Sequence, residues 1–247
     1  MNDFLIALQF LTRITIKKDL IITEDNFGKS SFYFPLVGFF LGCILALTGY
    51  IASRLFQPFT TVVFLIAAEV ILTGGLHLDG YMDTCDGIFS GRQRERMLEI
   101  MKDSRVGANS VIGLFILILL KIGLLLELMT TLNIIPILFI MPLMGRWAMV
   151  YIITFFPYAR KAGLGSYFSQ SISKRQFIHI TLYSVFIALV MLPVKLYLVL
   201  VLTAFFVHLI AHKINKILLG HTGDTYGAVN EMTETLYLLG CVVISKL

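Results

Sequence analysis

Apolar runs of bilayer length follow one another along nearly the whole of this chain, which leaves little choice of fold. Candidate spans cover residues 32–51, 59–78, 107–126 and 134–156. Each is near the roughly 20 apolar residues that a crossing helix needs. Residues 177–192 and 196–211 form a further pair divided by Pro193-Val-Lys195, read as two spans rather than one kinked helix, and a shorter run, 235–244, follows. Composition agrees: the chain is 57% hydrophobic and 14% charged, with mean hydropathy +0.86. A soluble domain sits near 45–50% apolar and about 25% charged. The expectation is an all-α, polytopic membrane helical bundle of about six to seven transmembrane helices, a single integral membrane domain over residues 1–247. Residues 4–11, with Phe4, Leu5, Leu8 and Leu11 on one side, read as a short interfacial amphipathic helix. The first residues show neither a basic region nor a small-residue cleavage site, so no signal peptide is expected.

Lys and Arg alternate between the connections. Arg13, Lys17, Lys18 and Lys29 precede the first span, and Arg92, Arg94, Arg96, Lys102 and Arg105 follow the second. Arg160, Lys161, Lys174 and Arg175 follow the fourth, and Lys213 and Lys216 the sixth. The intervening connections hold little beyond Arg54 and Lys195. By the positive-inside rule the N-terminus and the polar loops are cytoplasmic. The chain is then expected in the cytoplasmic (inner) membrane with its chemistry on the cytoplasmic face. The net charge of +5 follows from this topology. No aromatic residues interleave the basic loops as base-stacking platforms, so nucleic acid is not an expected partner. Cys43, Cys85 and Cys241 are scattered, with no CxxC, and imply neither a disulfide framework nor a zinc site.

The polar residues that remain are concentrated. Asp79, Asp83 and Asp86 lie four and three residues apart. On a helix they fall within about 60° of one another. Three carboxylates on one face repel unless a cation stands between them, and hard oxygen ligands suit Mg²⁺, with Mn²⁺ as an alternative. Asp103 is the expected fourth carboxylate. Glu95 and Glu99, beside Arg92, Arg94, Arg96 and Lys102, read as ordinary helix-surface pairs. Arg146 lies near the middle of the fourth span, where a charge needs a partner or a wet cavity. It reads either as an ion pair with Glu69 or as a grip on phosphate. Lys121 can reach an interface by snorkelling and is given no role. Arg160 and Lys161, beside Gly163 and Gly165, suit an anionic substrate but also an ordinary positive-inside loop. A second acidic lobe runs from Gly220 through His221, Asp224, Asn230 and Glu231 to Glu234, and reads also as a capped helix start.

These residues resemble the cobalamin synthase family, the adenosylcobinamide-GDP ribazoletransferases. The likeness lies in Gly74-Gly-Leu-His-Leu-Asp-Gly80, Asp83-Thr-Cys-Asp-Gly87, Phe89-Ser-Gly-Arg92, Met101-Lys-Asp-Ser-Arg-Val-Gly-Ala108 and Thr222-Gly-Asp224 with Gly227, Ala228 and Glu231. The opening Ala7-Leu-Gln-Phe-Leu-Thr-Arg13 is similar too, so the likeness touches nearly the whole chain. Cys85 stands where alanine is more usual and Tyr81 where leucine is, and neither change removes a ligand. The resemblance implies an enzyme of a late step of cobalamin biosynthesis. Adenosylcobinamide-GDP and α-ribazole (or its 5′-phosphate) would give adenosylcobalamin (or its phosphate) and GMP. Asp79, Asp83, Asp86 and Asp103 would hold Mg²⁺. Arg105, Arg146 and Arg160 would hold phosphate, with His221, Asp224 and Glu231 on the substrate side, and His77 or a carboxylate would take the hydroxyl proton. Membrane lipid is an expected neighbour, and a homo-oligomer or an association with other corrinoid-assembly enzymes is compatible with this reading.

Two alternatives follow from the same residues. CDP-alcohol phosphotransferases also set aspartates at the end of a span. Asp83-x2-Asp86-Gly87 matches the start of their pattern, but no Ala-Arg follows and its second half is missing. A small transporter would use Glu69, Lys121 and Arg146 as its pathway, yet no repeated broken segments accompany them.

Overall fold

The computed structural model describes residues 2–16, 20–169 and 171–247. Lys17 and Lys18, two of the basic residues that set the expected topology, lie outside the described residues. Among the described residues the secondary structure is helical apart from one isolated bridge between Tyr158 and His221.

The chain begins with α1 (Asn2–Leu11) and α2 (Glu24–Lys29), then α3 (Phe34–Leu55) and α4 (Pro58–Thr73). Gly74 and Gly75 follow with φ of +63° and +71°. This left-handed backbone is one that glycine adopts without a Cβ penalty. It lets α5 (Leu76–Phe89) leave at 91° to α4. Then come α6 (Arg94–Ile100), α7 (Ala108–Thr131), α8 (Ile134–Phe155), α9 (Lys174–Met191), α10 (Tyr197–Leu218) and α11 (Gly223–Ser245). Pro193 separates α9 from α10 as two helices rather than one kinked helix, although of the two only the second is long and apolar enough to count as a span.

By length and apolarity four helices can cross a membrane: residues 24–55 (through α2 and α3), α7, α8, and 194–218 (through α10). A fifth is reached only if α4 and α5 count as one bent span. Six to seven spans were expected. Fewer helices qualify because the second run breaks at Gly74, because α9, the expected span over 177–192, is not apolar enough over its length, and because α11, one helix from Gly223 onward, carries Asp224, Glu231 and Glu234 among its apolar residues. Large apolar side chains stand exposed along α7 (Ile112, Phe115, Ile116) and α10 (Val201, Phe205, Phe206), the surface an integral membrane protein offers to lipid.

α3 and α8 pack along their length at the centre, with α11 against α8 and α5. One apolar cluster, including Leu11, Phe34, Met149, Phe168 and Tyr226, fills the end that holds the polar loops. A second, with Leu45, Leu65, Leu138 and Tyr237, fills the other end. α1 docks Ala7, Leu8 and Leu11 into the first cluster and buries Ile6 beside them, so its apolar side is covered by protein rather than lying on an interface. The basic loops meet at one end. Arg94 donates to the carbonyls of Leu218 (2.6 Å) and Ala159 (2.7 Å), which ties α6 to the loops after α8 and α10. This co-location is what the alternation of Lys and Arg requires.

Candidate active site

The site forms where α5 crosses the first turn of α11. The crossing is close because both helices present glycine. A Cβ at Gly80 would stand 2.6 Å from the Asp224 carbonyl oxygen, and one at Gly227 would stand 2.9 Å from that of His77. Thr222 caps α11, accepting from the Thr225 amide at 3.3 Å, and so fixes where Asp224 emerges. α5 is helical through all three of its aspartates, so they share a face as their spacing predicts.

The three do not share a role. Both Asp86 oxygens are engaged across the bundle, accepting from the amides of Gly107 (2.7 Å) and Ser110 (2.9 Å). Asp86 thereby caps the start of α7, where a carboxylate also meets the positive end of the helix dipole. The carboxylates of Asp79 and Asp83 have no hydrogen-bond or ion-pair partner among the described residues. Burial, then the charges of Asp224 and Asp79, push the Asp83 carboxyl up to about 7. Asp224 is also raised, by burial first, although Arg160 bonds it at 2.6 Å and Thr222 at 3.3 Å and both oppose the rise. The Arg160 Nε is buried with no partner, so a donor remains for a ligand. Two cavities adjoin, sharing Phe10, Leu76 and Asp79. The smaller, about 170 Å³, is lined by His77, Phe168, Asp224 and Tyr226. His77 is buried and its Nε2 has no partner.

The remaining expected site residues lie elsewhere. Asp103 sits on the loop before α7 and is held by Arg105, whose Nε and Nη2 reach it at 2.9 and 2.5 Å. That pairing lowers Asp103 to about 2. Arg105 is 85% exposed. Arg146 is the largest buried side chain and is bonded to Glu234 and to the Pro142 carbonyl, so it is not placed to grip phosphate. Its partner is Glu234 rather than the expected Glu69. Glu231 is also withdrawn from any substrate, bonding the Lys121 Nζ at 2.7 Å. Lys121 does not snorkel. It is fully buried and also meets Glu234 at 2.8 Å and Glu69 at 3.3 Å. Apolar surroundings exclude an unpaired charge at such depth, and these five groups satisfy one another. His221 is fully buried, within reach of Thr225 Oγ1 at 3.1 Å and the Ala211 carbonyl at 3.2 Å, and burial lowers it to about 4. It joins the end of α10 to the start of α11 rather than facing a ligand. On the helix surface Arg96 and Glu99 pair at 2.8 Å as expected.

Among the described residues no three His, Cys, Asp or Glu side chains are gathered as a complete metal cage. The donor set suits the way Mg²⁺ is commonly held, by one or two carboxylates completed by substrate phosphates and water. Asp79 and Asp83 are free for that, whereas Asp86 and Asp103 already have partners. The sequence pointed to these aspartates through helical spacing. It did not point to Arg13, which reaches the larger cavity. Its only signal was a place in the opening motif.

The model of the cobalamin-5-phosphate synthase family matches residues 3–242. The chain is similar to the adenosylcobinamide-GDP ribazoletransferase of Desulfitobacterium hafniense (strain Y51), 39% identical over 244 residues, covering 97% of this chain and 96% of that protein. The proteins of the same name from Clostridium novyi (strain NT) and Clostridioides difficile (strain 630) are each 36% identical, with the same coverage. No solved structure shows a significant match.

Proposed function

This chain belongs to the cobalamin-5-phosphate synthase family, and we propose that it joins adenosylcobinamide-GDP to α-ribazole or α-ribazole 5′-phosphate, releasing GMP, with its site on the cytoplasmic face of the inner membrane. The observation that carries the site is the juxtaposition, at the α5–α11 crossing, of two unpartnered carboxylates (Asp79 and Asp83) with the Arg160–Asp224 pair.

The reaction is phosphoryl transfer to an alcohol. An alcohol oxygen of the ribazole attacks the phosphorus that carries the cobinamide, the diphosphate P–O bond breaks, and GMP departs. Such transfers depend on positioning and on electrostatic stabilisation more than on covalent participation by the protein. Asp79 and Asp83 would hold Mg²⁺ jointly with the diphosphate, and the cation would supply charge neutralisation there. Arg160, oriented by Asp224, would offer a guanidinium donor to a non-transferred phosphate oxygen. His77, which lines the smaller cavity, or one of the free carboxylates Asp79 and Asp83, would take the proton of the attacking hydroxyl as the new bond forms. Gly165 against Gly223, and Phe168 and Tyr226, close that cavity with backbone and rings and limit the access of competing water.

The transporter reading has no support in the interior charges, because Lys121 and Arg146 are bonded to glutamates rather than lining a passage. The test is GMP release by the purified protein in detergent, given adenosylcobinamide-GDP, α-ribazole and Mg²⁺, with an EDTA control. GMP and a new cobalamin product, both lost with EDTA, are expected. Release of CMP from a CDP-alcohol with no reaction of the corrinoid pair would replace this reading by a lipid phosphotransferase.

A further inference from the structure

The larger cavity, about 520 Å³, lies between the end of α1 and the α4–α5 elbow. Gln9, Thr12 and Arg13 line one wall, and Thr73, Gly74 and Asp79 another. Arg13 is held there by its backbone. Its amide donates to the Leu72 carbonyl at 2.7 Å. The preceding Thr12 is bonded through its hydroxyl to the Leu8 carbonyl (2.6 Å) and to the Ile14 amide (3.1 Å). The side chain then lies across Gly74, where a Cβ would come within 2.7 Å of the Arg13 Cζ. Its guanidinium has no hydrogen-bond or ion-pair partner among the described residues. α5 begins on the same wall with no capping side chain, which leaves the positive end of its dipole there as well.

An exposed guanidinium on a hydrogen-bonded backbone, with no partner among the described residues and lining a cavity that Asp79 shares with the smaller one, suits an anion. A dianionic group approaching Asp79 would be repelled unless another cation met it, and a guanidinium matches phosphate oxygens with two parallel donors. We propose that this cavity seats the nucleoside diphosphate part of the donor and that Arg13 binds its phosphate oxygens. Donor and acceptor then approach Asp79 from the two cavities that it separates, the arrangement an in-line displacement needs. The assignment rests on the transferase reading given above. It adds which cavity takes which substrate and a binding residue for it. A phosphate ester could also be presented by an anionic lipid headgroup, so the test includes both sources.

The experiment is calorimetric titration of GDP into the detergent-purified full-length protein in EDTA, for the wild type, Arg13→Gln and Arg13→Lys, with melting temperatures to confirm folding. Loss of a charge-assisted phosphate contact is expected to weaken GDP binding about 10- to 100-fold in Arg13→Gln, and less in Arg13→Lys. In turnover the KM for adenosylcobinamide-GDP should rise by a similar factor, with the KM for α-ribazole unchanged. The same variants are titrated with phosphatidylglycerol nanodiscs. Weakened lipid binding with unchanged GDP binding would overturn the proposal in favour of a headgroup site. Wild-type GDP affinity in both folded variants, or no GDP binding by the wild type, would also overturn it. Because GDP binding is measured without metal or acceptor, it judges Arg13 even if the wild type releases no GMP, which is the failure of the transferase reading itself.

Discussion

Two clusters of charge lie along α11 and are built on opposite plans. At its start, Asp224 stands with Asp79 and Asp83, three acids of which one alone, Asp224, has an ion-pair partner among the described residues, Arg160. Two turns further in, Glu231 and Glu234 meet Lys121, Arg146 and Glu69, and almost every charge touches one of opposite sign. Asp224 and Glu231, seven residues apart, share one face of the same helix. The first cluster is left with unsatisfied negative charge because water and a ligand can reach it. The second has no access to either and must balance within the protein. Repulsion at the edge prepares a place for cations and phosphates. Pairing in the interior fixes α4, α7, α8 and α11 against one another.

The comparison breaks most sharply at Asp83. Asp83→Asn should lower GMP release by about a thousandfold or more. Removing a repelled carboxylate should leave the melting temperature unchanged or raise it. A variant with near wild-type turnover would show that the free carboxylates are not the reacting centre. Lys121→Met tests the other side. It strands Glu69 and Glu231, leaves Glu234 paired with Arg146 alone, and should cost about 3–5 kcal/mol of stability, as the loss of one partner from a buried ion pair does. Denaturant titration in mixed micelles would measure this, and the fraction still folded should turn over as the wild type does. Stability close to wild type would mean that the interior charges are not mutually dependent.

A smaller effect is expected at His221, which ties α10 to α11 just outside both clusters. Its native pKa, about 4, is lowered by burial from the ordinary 6.5. Between those values the unfolded chain binds a proton that the native protein refuses, so stability falls as pH drops from 6.5 toward 4. The loss could reach about 3 kcal/mol at the acid end. Melting curves from pH 7.5 to 5 should show a steeper decline for the wild type than for His221→Gln. Parallel curves would remove His221 as the cause. The smallest effect is expected at Asp103. Engaged by Arg105 on an exposed loop, it should tolerate Asn with a loss of turnover of about tenfold or less. A loss as deep as that of Asp83→Asn would move Asp103 into the reacting centre.

The edge cluster was more legible in the sequence than the interior one, for a physical reason. Asp79 and Asp83 are brought together by local helical periodicity, which the spacing records. Asp224 stood out as a polar interruption before an apolar run. Asp86 shares their spacing, yet its partners are the amides of Gly107 and Ser110, more than twenty residues away, and no local pattern announces that. Lys121 looked free to snorkel because its three glutamates lie 52, 110 and 113 residues distant. Arg146 was rightly expected to need a partner, but the choice between Glu69 and Glu234 is made by packing of α8 on α11. The fold shows the same division. Helix type and the break at Pro193 could be read locally. That Gly223–Ser245 is one continuous buried helix could not, because its glycines and acids resemble a turn until a neighbouring helix fills in around them.

The interior network also has an order in time. Glu69, Lys121 and Arg146 lie in α4, α7 and α8, whereas Glu231 and Glu234 lie in α11, which leaves the ribosome after all three. Lys121 can meet Glu69 early in synthesis, but Arg146 lacks its carboxylate partner until α11 arrives. A guanidinium held without a counter-ion inside a bilayer is costly. The network therefore closes only when α11 joins it, and a chain stalled before α11 would remain a loose bundle open to the cell's quality-control proteases.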